Sequence, residues 1–159
     1  MSSQEPEVTL IDRSTGARGS HDPAPLLRVS GVRKSYVTPQ GLLPVLKGVD
    51  LVLGAGQSLA LLGESGSGKS TLLHLIGGLD EADAGEILLD GVHLSGLGDA
   101  ERAALRRERV GIVFQQFNLV PSLTVADNIA FQARISGRFD AAWRDELLTR
   151  LGLDGLGAR

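Results

Sequence analysis

A glycine-rich segment between two apolar runs constrains this chain more than any other feature of its sequence. Its residues are, in order, Gly63, Glu64, Ser65, Gly66, Ser67, Gly68, Lys69, Ser70 and Thr71. They match the phosphate-binding pattern G-x-x-x-x-G-K-[ST] without a mismatch. Glycines let successive backbone N–H groups point at phosphates, and a following helix directs the positive end of its dipole at the same anion. This segment, the phosphate loop, predicts a nucleotide-binding site.

Three side chains at the end of the phosphate loop have specific expected roles. Lys69 is expected to reach the β- and γ-phosphate oxygens of the nucleotide. The Ser70 hydroxyl is expected to bind the Mg²⁺ ion that bridges these oxygens, with Thr71 as a second, weaker polar neighbour. The predicted ligands of the loop are therefore a nucleotide and Mg²⁺.

The residues on either side of the phosphate loop support this interpretation. Ser58–Leu62 is a short apolar run typical of a buried strand, and Leu72–Ile76 is an apolar run that ends at two glycines, Gly77 and Gly78. The alternative is a flexible Gly/Ser turn between a strand and a helix. The order strand, loop, helix is the one that a phosphate-binding loop requires.

Size and charge exclude several classes of protein. A chain of 159 residues and 16.7 kDa can bury one core with at most a small appendage. Its net charge of -3 provides no basic field, so nucleic acid is not an expected partner. The sequence has no apolar run of about 18 residues and no secretory signal pattern, which predicts a soluble, cytoplasmic chain. The absence of cysteine excludes disulfides and thiol metal sites and agrees with a reducing compartment.

The chain divides into a polar leader and a patterned remainder. Residues 1–25 mix Ser, Gly, Pro and charged residues with almost no apolar pattern, which predicts a disordered leader. Strands are predicted at 26–30 and 45–53, and at 85–91, where an Asp-Gly turn closes the strand. A β-rich portion is thus expected around an α/β nucleotide-binding core.

The second half of the chain is predicted to be mainly helical. Asp99–Arg109 is a charged helix whose basic cluster is interpreted as a solvated face. Val110–Phe114 has the composition of a buried strand that ends at Gln115, and Thr124–Asp127 has the pattern of a capping box that opens a helix. A last helix is predicted to bury one stripe, formed by Phe139, Trp143, Leu147 and Leu151.

The phosphate loop, the segment 113–128 and the opening strands together resemble the ATP-binding subunit of an ABC transporter. The resemblance runs from about Leu27 to the end of the chain, and it is closest to the subfamily that serves lipoprotein release, macrolide-type efflux and related permeases. It implies an α/β fold: a P-loop NTPase core with an antiparallel β subdomain and the start of a helical subdomain. The core is expected at 26–120 and the helical subdomain at 121–159.

The resemblance also implies roles for two residues outside the phosphate loop. Tyr36 matches an aromatic residue that stacks on the adenine ring of ATP, as a flat apolar ring can. Gln115 matches a glutamine that contacts Mg²⁺ or its water and links the core to the helical subdomain. The alternatives are an ordinary strand tyrosine and a polar residue at a strand end, and Gln116 is the less favoured holder of the glutamine role.

Several motifs of the family have no match in this sequence. No apolar run ending in Asp-Glu, no Leu-Ser-Gly-Gly-Gln signature and no switch histidine follows Gln115, and the segment Leu94–Gly98 is interpreted as a loop. The chain is therefore interpreted as the N-terminal part of a truncated or partial subunit, with its general base expected beyond Arg159. On this interpretation the 159 residues bind ATP without hydrolysing it.

Three functions remain open at this point. In the first, the intact protein is a transport ATPase that dimerises head to tail, sandwiches two ATP molecules and drives a membrane permease at the inner face of the membrane. In the second, it is a P-loop kinase that phosphorylates a small metabolite. In the third, the 159 residues are a complete, non-hydrolytic nucleotide-binding module.

Overall fold

The computed structural model describes residues 9–12 and 24–159. The chain forms two compact units, one that ends at Arg106 and one that comprises 107–159. The strands are β1 (Thr9–Asp12), β2 (Leu27–Thr38), β3 (Gly41–Leu53), β4 (Leu59–Leu62), β5 (Ala84–Leu89) and β6 (Val92–His93). The helices are α1 (Lys69–Ile76), α2 (Asp99–Arg109), α3 (Val125–Ile135) and α4 (Ala141–Arg150).

The first unit contains an antiparallel sheet in the order β3-β2-β5-β6. The strands β2 and β3 form one long hairpin, paired from Leu27 with Leu53 to Thr38 with Gly41. The predicted strands at 26–30 and 45–53 are thus the ends of longer strands. The predicted Asp-Gly turn is present: Asp90 and Gly91 both have positive φ, as in a two-residue type I′ hairpin turn. The turn joins β5 to β6, a short strand that the sequence analysis did not predict.

A bulge in β2 changes which face of the strand its side chains occupy. Leu27 and Val29 are buried, and after the register shift between Val29 and Val32 the buried positions become Val32 and Lys34. Gly31, inside the shift, has φ +57 and donates its N–H to Asp50 Oδ1 at 2.8 Å. An inserted residue in a strand reverses the alternation of side chains beyond it. The bulge therefore directs a lysine to the inward face.

The core of the first unit lies between this sheet and α1. The α1 residues Leu72 and Leu75 are 0% and 1% exposed, and full burial of such a side chain contributes about 1.5–3 kcal/mol. Other core residues come from the sheet, the segment after β6 and α2: Leu27, Val29, Val32, Leu46, Leu51, Ile87, Leu94 and Leu105. The apolar run after the phosphate loop thus anchors the helix on which the loop depends.

The strand before the phosphate loop differs from its prediction. β4 pairs antiparallel with β1 in a two-stranded sheet, and its residues alternate between half-buried and exposed instead of being uniformly buried. The segment 1–25 was predicted to be a disordered leader, but Thr9–Asp12 within it form β1. These residues are ordered as a strand because their backbone pairs with β4. The rest of that leader, residues 1–8 and 13–23, lies outside the described residues, and 24–25 precede β2 without regular structure.

The prediction of a strand at Val110–Phe114 is wrong. The segment has no regular secondary structure, and Val113 is fully exposed. An apolar run becomes a buried strand only when a neighbouring strand takes up its backbone N–H and C=O groups. None of the strands described here pairs with this segment.

The second unit consists of the last turn of α2, the helices α3 and α4, and irregular segments. Thr124 caps α3 by accepting the Asp127 N–H at 3.1 Å, as the capping pattern predicts. The Asp127 carboxylate accepts a hydrogen bond from the Thr124 hydroxyl at 2.9 Å. The Asp127 carboxylate therefore contacts the side-chain hydroxyl of Thr124. In a standard capping box it would instead accept from the backbone N–H of the capping residue.

The predicted buried stripe of the last helix is largely exposed. Phe139, Trp143 and Leu151 are 40%, 48% and 61% exposed, and Leu147 is half-buried. Arginines cover part of the rings instead: the Arg134 guanidinium lies 4.8 Å from the Phe139 ring centroid, and that of Arg150 lies 5.4 Å from the Trp143 ring. A four-residue apolar repeat marks one face of a helix, but it does not supply the layer that would cover that face.

Candidate functional site: the phosphate loop

The phosphate loop connects β4 to α1, which confirms the predicted order of strand, loop and helix. The helix begins at Lys69, after Gly68 as the N-cap residue, and no side chain caps its first turn. The first N–H groups of a helix have no partner within the helix, and together with the helix dipole they attract anions. The start of α1 can therefore bind phosphate through its backbone.

Gly68 is required at this position for two independent reasons. Its φ of +91 lies in the left-handed region, where a residue with a side chain is strained. A Cβ atom here would lie 2.8 Å from the Leu46 side chain and 3.2 Å from the Val45 carbonyl oxygen. The loop thus packs against β3 so closely that only a glycine fits.

The Lys69 ammonium contacts oxygens of its own loop. It donates to the Gly63 carbonyl at 2.9 Å, the Glu64 carbonyl at 2.6 Å and the Ser67 hydroxyl at 3.1 Å. These contacts hold the positive charge over the curled backbone of the loop. A phosphate, being anionic, is a stronger partner for the ammonium than these neutral oxygens.

The neighbouring hydroxyls have different surroundings. Ser70 is exposed in the first turn of α1. Thr71 is half-buried, and its hydroxyl lies near the Tyr36 phenol oxygen. The structure therefore brings Tyr36, predicted to stack on adenine, to the helix that follows the phosphate loop.

Two charged residues next to Tyr36 have no role in the sequence analysis. Asp80 accepts a hydrogen bond from the Tyr36 hydroxyl through Oδ2 at 2.9 Å and binds the Lys34 ammonium through Oδ1 at 2.9 Å. The Lys34 ammonium also lies 5.3 Å from the centroid of the Tyr36 ring. We call Lys34, Tyr36 and Asp80 the Asp80 cluster. The sequence signal for it is faint, since Lys34 and Tyr36 share a strand face but Asp80 lies 46 residues after Lys34.

The cluster shifts the pKa of each of its members. Burial favours the neutral form of Asp80, but hydrogen bonds from Lys34, Glu81 and Tyr36 outweigh it and lower the Asp80 pKa. Burial opposes the charge on Lys34 as well, but the hydrogen bond and negative charge of Asp80, with Asp83, raise the Lys34 pKa. Burial and the hydrogen bond to Asp80 raise the Tyr36 pKa. At neutral pH the cluster is thus an ion pair with a neutral phenol.

Gln115 lies in the second unit, on a bend after the irregular segment that ends at Phe114. Both Gln115 and Gln116 are exposed. In the first unit the structure brings together the phosphate loop, Thr71 and Tyr36. The role of Gln115 at Mg²⁺ stays a prediction.

The remaining acidic and signature-like segments do not form a second site. Leu94–Gly98 is a turn, as predicted. Asp145 and Glu146, the Asp-Glu pair after Gln115, lie on α4 and form ion pairs with Arg144 and Arg150. Within 9–12 and 24–159, no group of three or more His, Cys, Asp or Glu residues is arranged to hold a metal. The same residues include no helix that is long and apolar enough to cross a membrane.

A glycine loop after a strand, with a lysine at the head of the following helix, defines a P-loop nucleotide-binding protein. The profile of one family, described as ABC transporter, matches residues 46–159. The chain belongs to the ABC transporter family, as the resemblance implies.

Similar proteins place the chain more narrowly within this family. It is 41% identical over 136 residues to the lipoprotein-releasing system ATP-binding protein LolD of Roseobacter denitrificans, covering 85% of this chain and 60% of that protein. It is 42% identical over 133 residues to the macrolide export ATP-binding/permease protein MacB 1/2 of Paracoccus denitrificans, covering 82% of this chain and 20% of that protein. The chain matches an ABC ATPase of this subfamily.

Solved structures agree with the fold. A dimeric ATP-binding cassette in a post-hydrolysis state bound to ADP and Pi is similar with a TM-score of 0.72 and 32% identity, covering 83% of this chain and 60% of that one. The α/β fold of an ABC cassette, with its antiparallel sheet and helices, is therefore confirmed. The chain spans 60% of the length of this cassette and of the LolD relative.

Proposed function

We propose that the phosphate loop binds ATP with Mg²⁺, and that the intact protein uses ATP hydrolysis to drive transport through a membrane permease. The observation that carries this proposal is the loop itself: a glycine cap without a side-chain partner, a lysine over the loop backbone, and an aromatic residue tied to the same helix. Lys69 would bind the β- and γ-phosphates, while the Tyr36 ring would stack on adenine.

Mg²⁺ fits the donors available at the loop. Mg²⁺ prefers oxygen ligands and keeps several waters, taking the rest from nucleotide phosphates and one or two protein groups. Ser70 offers an exposed hydroxyl oxygen in the first turn of α1. We assign Ser70 as a Mg²⁺ ligand and Gln115 as a second contact, and the ion would neutralise charge on the phosphates.

We further propose that these 159 residues bind ATP without turning it over. Hydrolysis needs a general base to polarise the attacking water and a second carboxylate at Mg²⁺. The Asp-Glu pair after Gln115 is exposed on α4 and ion-paired with arginines. The pattern expected for these roles, an apolar run that ends in Asp-Glu, does not occur between Gln115 and Arg159.

The partners of the intact protein follow from the family. Two similar cassettes are dimers, and two similar proteins are named for lipoprotein release and macrolide export. We propose that the intact protein dimerises and binds permease subunits at the inner face of the membrane. Membership of the ABC transporter family argues against the small-molecule kinase. The net charge of -3 gives no basic surface field of the kind that attracts nucleic acid, so we propose no nucleic-acid partner.

Binding of MgATP to the purified chain tests the site. We expect Lys69→Ala to abolish or strongly weaken binding in calorimetric titrations while leaving the circular dichroism spectrum unchanged, because the ammonium contacts the ligand and not the core. Lys47→Ala, which removes an exposed lysine of β3, is the matched control and should bind as the wild type does. Equal binding by wild type and Lys69→Ala would refute the proposed site.

A further inference from the structure

The Tyr36 ring is held on several sides by the first unit. Its hydroxyl donates to Asp80 at 2.9 Å and lies near the Thr71 hydroxyl, and the Lys34 ammonium lies over the ring. Asp80 lies four residues after the end of α1, the helix that begins at the phosphate loop. The Tyr36 side chain is thus hydrogen-bonded to the segment that follows this helix and lies near the first turn of the helix.

We propose that Asp80 is a positioning residue, which fixes the Tyr36 ring relative to the phosphate loop so that the base and the phosphates of one nucleotide are bound together. This inference rests on the proposed function, in which the Tyr36 ring stacks on the base. A tyrosine on a strand can turn about its side-chain bonds. A hydrogen bond from its hydroxyl to Asp80, which Lys34 and the Glu81 N–H hold in place, removes that freedom before the nucleotide arrives.

The two carboxylate oxygens of Asp80 bind different partners in the cluster. Oδ1 accepts from the Lys34 ammonium at 2.9 Å and from the Glu81 N–H at 2.7 Å. These two contacts fix the carboxylate. Oδ2 then accepts from the Tyr36 hydroxyl. Lys34 thus holds Asp80, and Asp80 holds the ring.

Lys34 does not depend on Asp80 alone. Its ammonium also donates to the Glu81 carbonyl at 2.6 Å and lies 3.7 Å from Asp83 Oδ1. Removal of the Asp80 carboxylate therefore leaves Lys34 with other partners, whereas it removes the hydrogen bond that the Tyr36 hydroxyl donates. The main effect of losing Asp80 falls on the tyrosine.

The remaining surface of Tyr36 is suited to a stacked base. The residue is 38% exposed although its hydroxyl and one ring face have partners. Aromatic stacking on a base contributes to affinity only when the ring is in place. A loosely held ring would lose part of this contribution without any change at the phosphates.

Two ligands separate positioning of the ring from stability of the fold. ATP has a base and a triphosphate, whereas tripolyphosphate has the same chain of phosphates and no base. In calorimetric titrations with Mg²⁺, we expect Asp80→Ala to weaken ATP binding by about fivefold, the effect of one hydrogen bond. Tripolyphosphate binding should be unchanged. A merely structural ion pair would weaken both ligands alike.

Asp83→Ala is the matched control. Asp83 also faces the Lys34 ammonium and accepts the Ser35 N–H at 2.6 Å, but no contact with Tyr36 is described. This variant also removes one negative charge beside Lys34 and should keep the wild-type ratio of ATP to tripolyphosphate affinity. If Asp83→Ala lowers the ratio as much as Asp80→Ala does, the inference is wrong.

Tyr36→Phe tests whether Asp80 acts on the ring through the Tyr36 hydroxyl. It keeps the ring but removes the group that Asp80 holds, so it should weaken ATP binding about as much as Asp80→Ala, and the double variant should be no weaker than either. Additive losses would overturn the inference. Wild-type binding of both ligands with equal affinity would instead contradict the stacking role of Tyr36, and binding of neither would contradict the phosphate site itself.

Discussion

Lys69 is held in place by oxygens of its own loop. Its ammonium lies over three of them, two carbonyls and a hydroxyl. On the proposed function, a phosphate would replace some of these contacts, because an anion is a stronger partner for the ammonium than a neutral oxygen. The affinity of the loop is therefore a difference between two sets of contacts.

At the residue scale, we expect Gly68→Ala to destabilise the protein more than Gly66→Ala does. Both glycines have positive φ, +91 and +85, so both alanines are strained by about 1–2 kcal/mol. Only at Gly68 would the new Cβ also overlap β3, since nothing lies within 4 Å of the corresponding atom at Gly66. Overlap in a packed region adds about 1–3 kcal/mol.

Urea unfolding of both variants measures this difference. A larger loss of unfolding free energy for Gly68→Ala is expected. Equal losses would show that the close approach of the loop to β3 does not contribute.

The residues of the candidate site differ in how well the sequence alone predicts them. The phosphate loop is a local pattern, and one short window of sequence is enough to predict it. The partner of Tyr36 depends on a contact between residues 44 positions apart, and Lys34 faces inwards only because the bulge reverses the alternation of β2. Neither fact has a signature in the local sequence, which is why the Asp80 cluster was missed.

At the scale of elements, the helices followed their local signals and two strands did not. α1 and α3 begin where a glycine loop and a threonine cap predict, since a helix makes its own hydrogen bonds. A strand needs a partner, so the apolar run at 110–114 is irregular and β4 is not uniformly buried. Local signals therefore predicted the helices better than the strands.

The cap of α3 gives a prediction at this scale. Thr124→Ala removes a hydroxyl that accepts from the Asp127 N–H and donates to its carboxylate, and we expect a loss of about 1 kcal/mol. Trp143, the single tryptophan, lies in the same unit and reports its unfolding by fluorescence. Thr124→Ser keeps the hydroxyl and should unfold near the wild-type midpoint. If serine loses as much as alanine, packing of the threonine methyl and not the cap is responsible.

At the scale of the whole molecule, the proposed function separates holding a nucleotide from cleaving it. The residues proposed to contact phosphate and base and to position the ring lie in the first unit. The chain spans 60% of the length of a similar cassette. The roles that complete an ABC ATPase, a general base and a signature facing a partner subunit, have no matching motif between Gln115 and Arg159.

We therefore expect the purified 159-residue chain to bind MgATP and release no phosphate from it. A colorimetric phosphate assay, run beside a binding titration on the same sample, checks both halves of this statement. Lys69→Ala provides the background. Metal-dependent release that this variant abolishes would show that the chain carries its own catalytic groups.

The bulge in β2 has the effect of a one-residue insertion on the strand. One extra residue near Gly31 reassigns every side chain after it, and Lys34 owes its inward face to that shift. Deleting a residue there would exchange the two faces as far as Tyr36. On the proposed function, an insertion or deletion there would remove the preference of the site for a base without changing any residue proposed to contact the nucleotide.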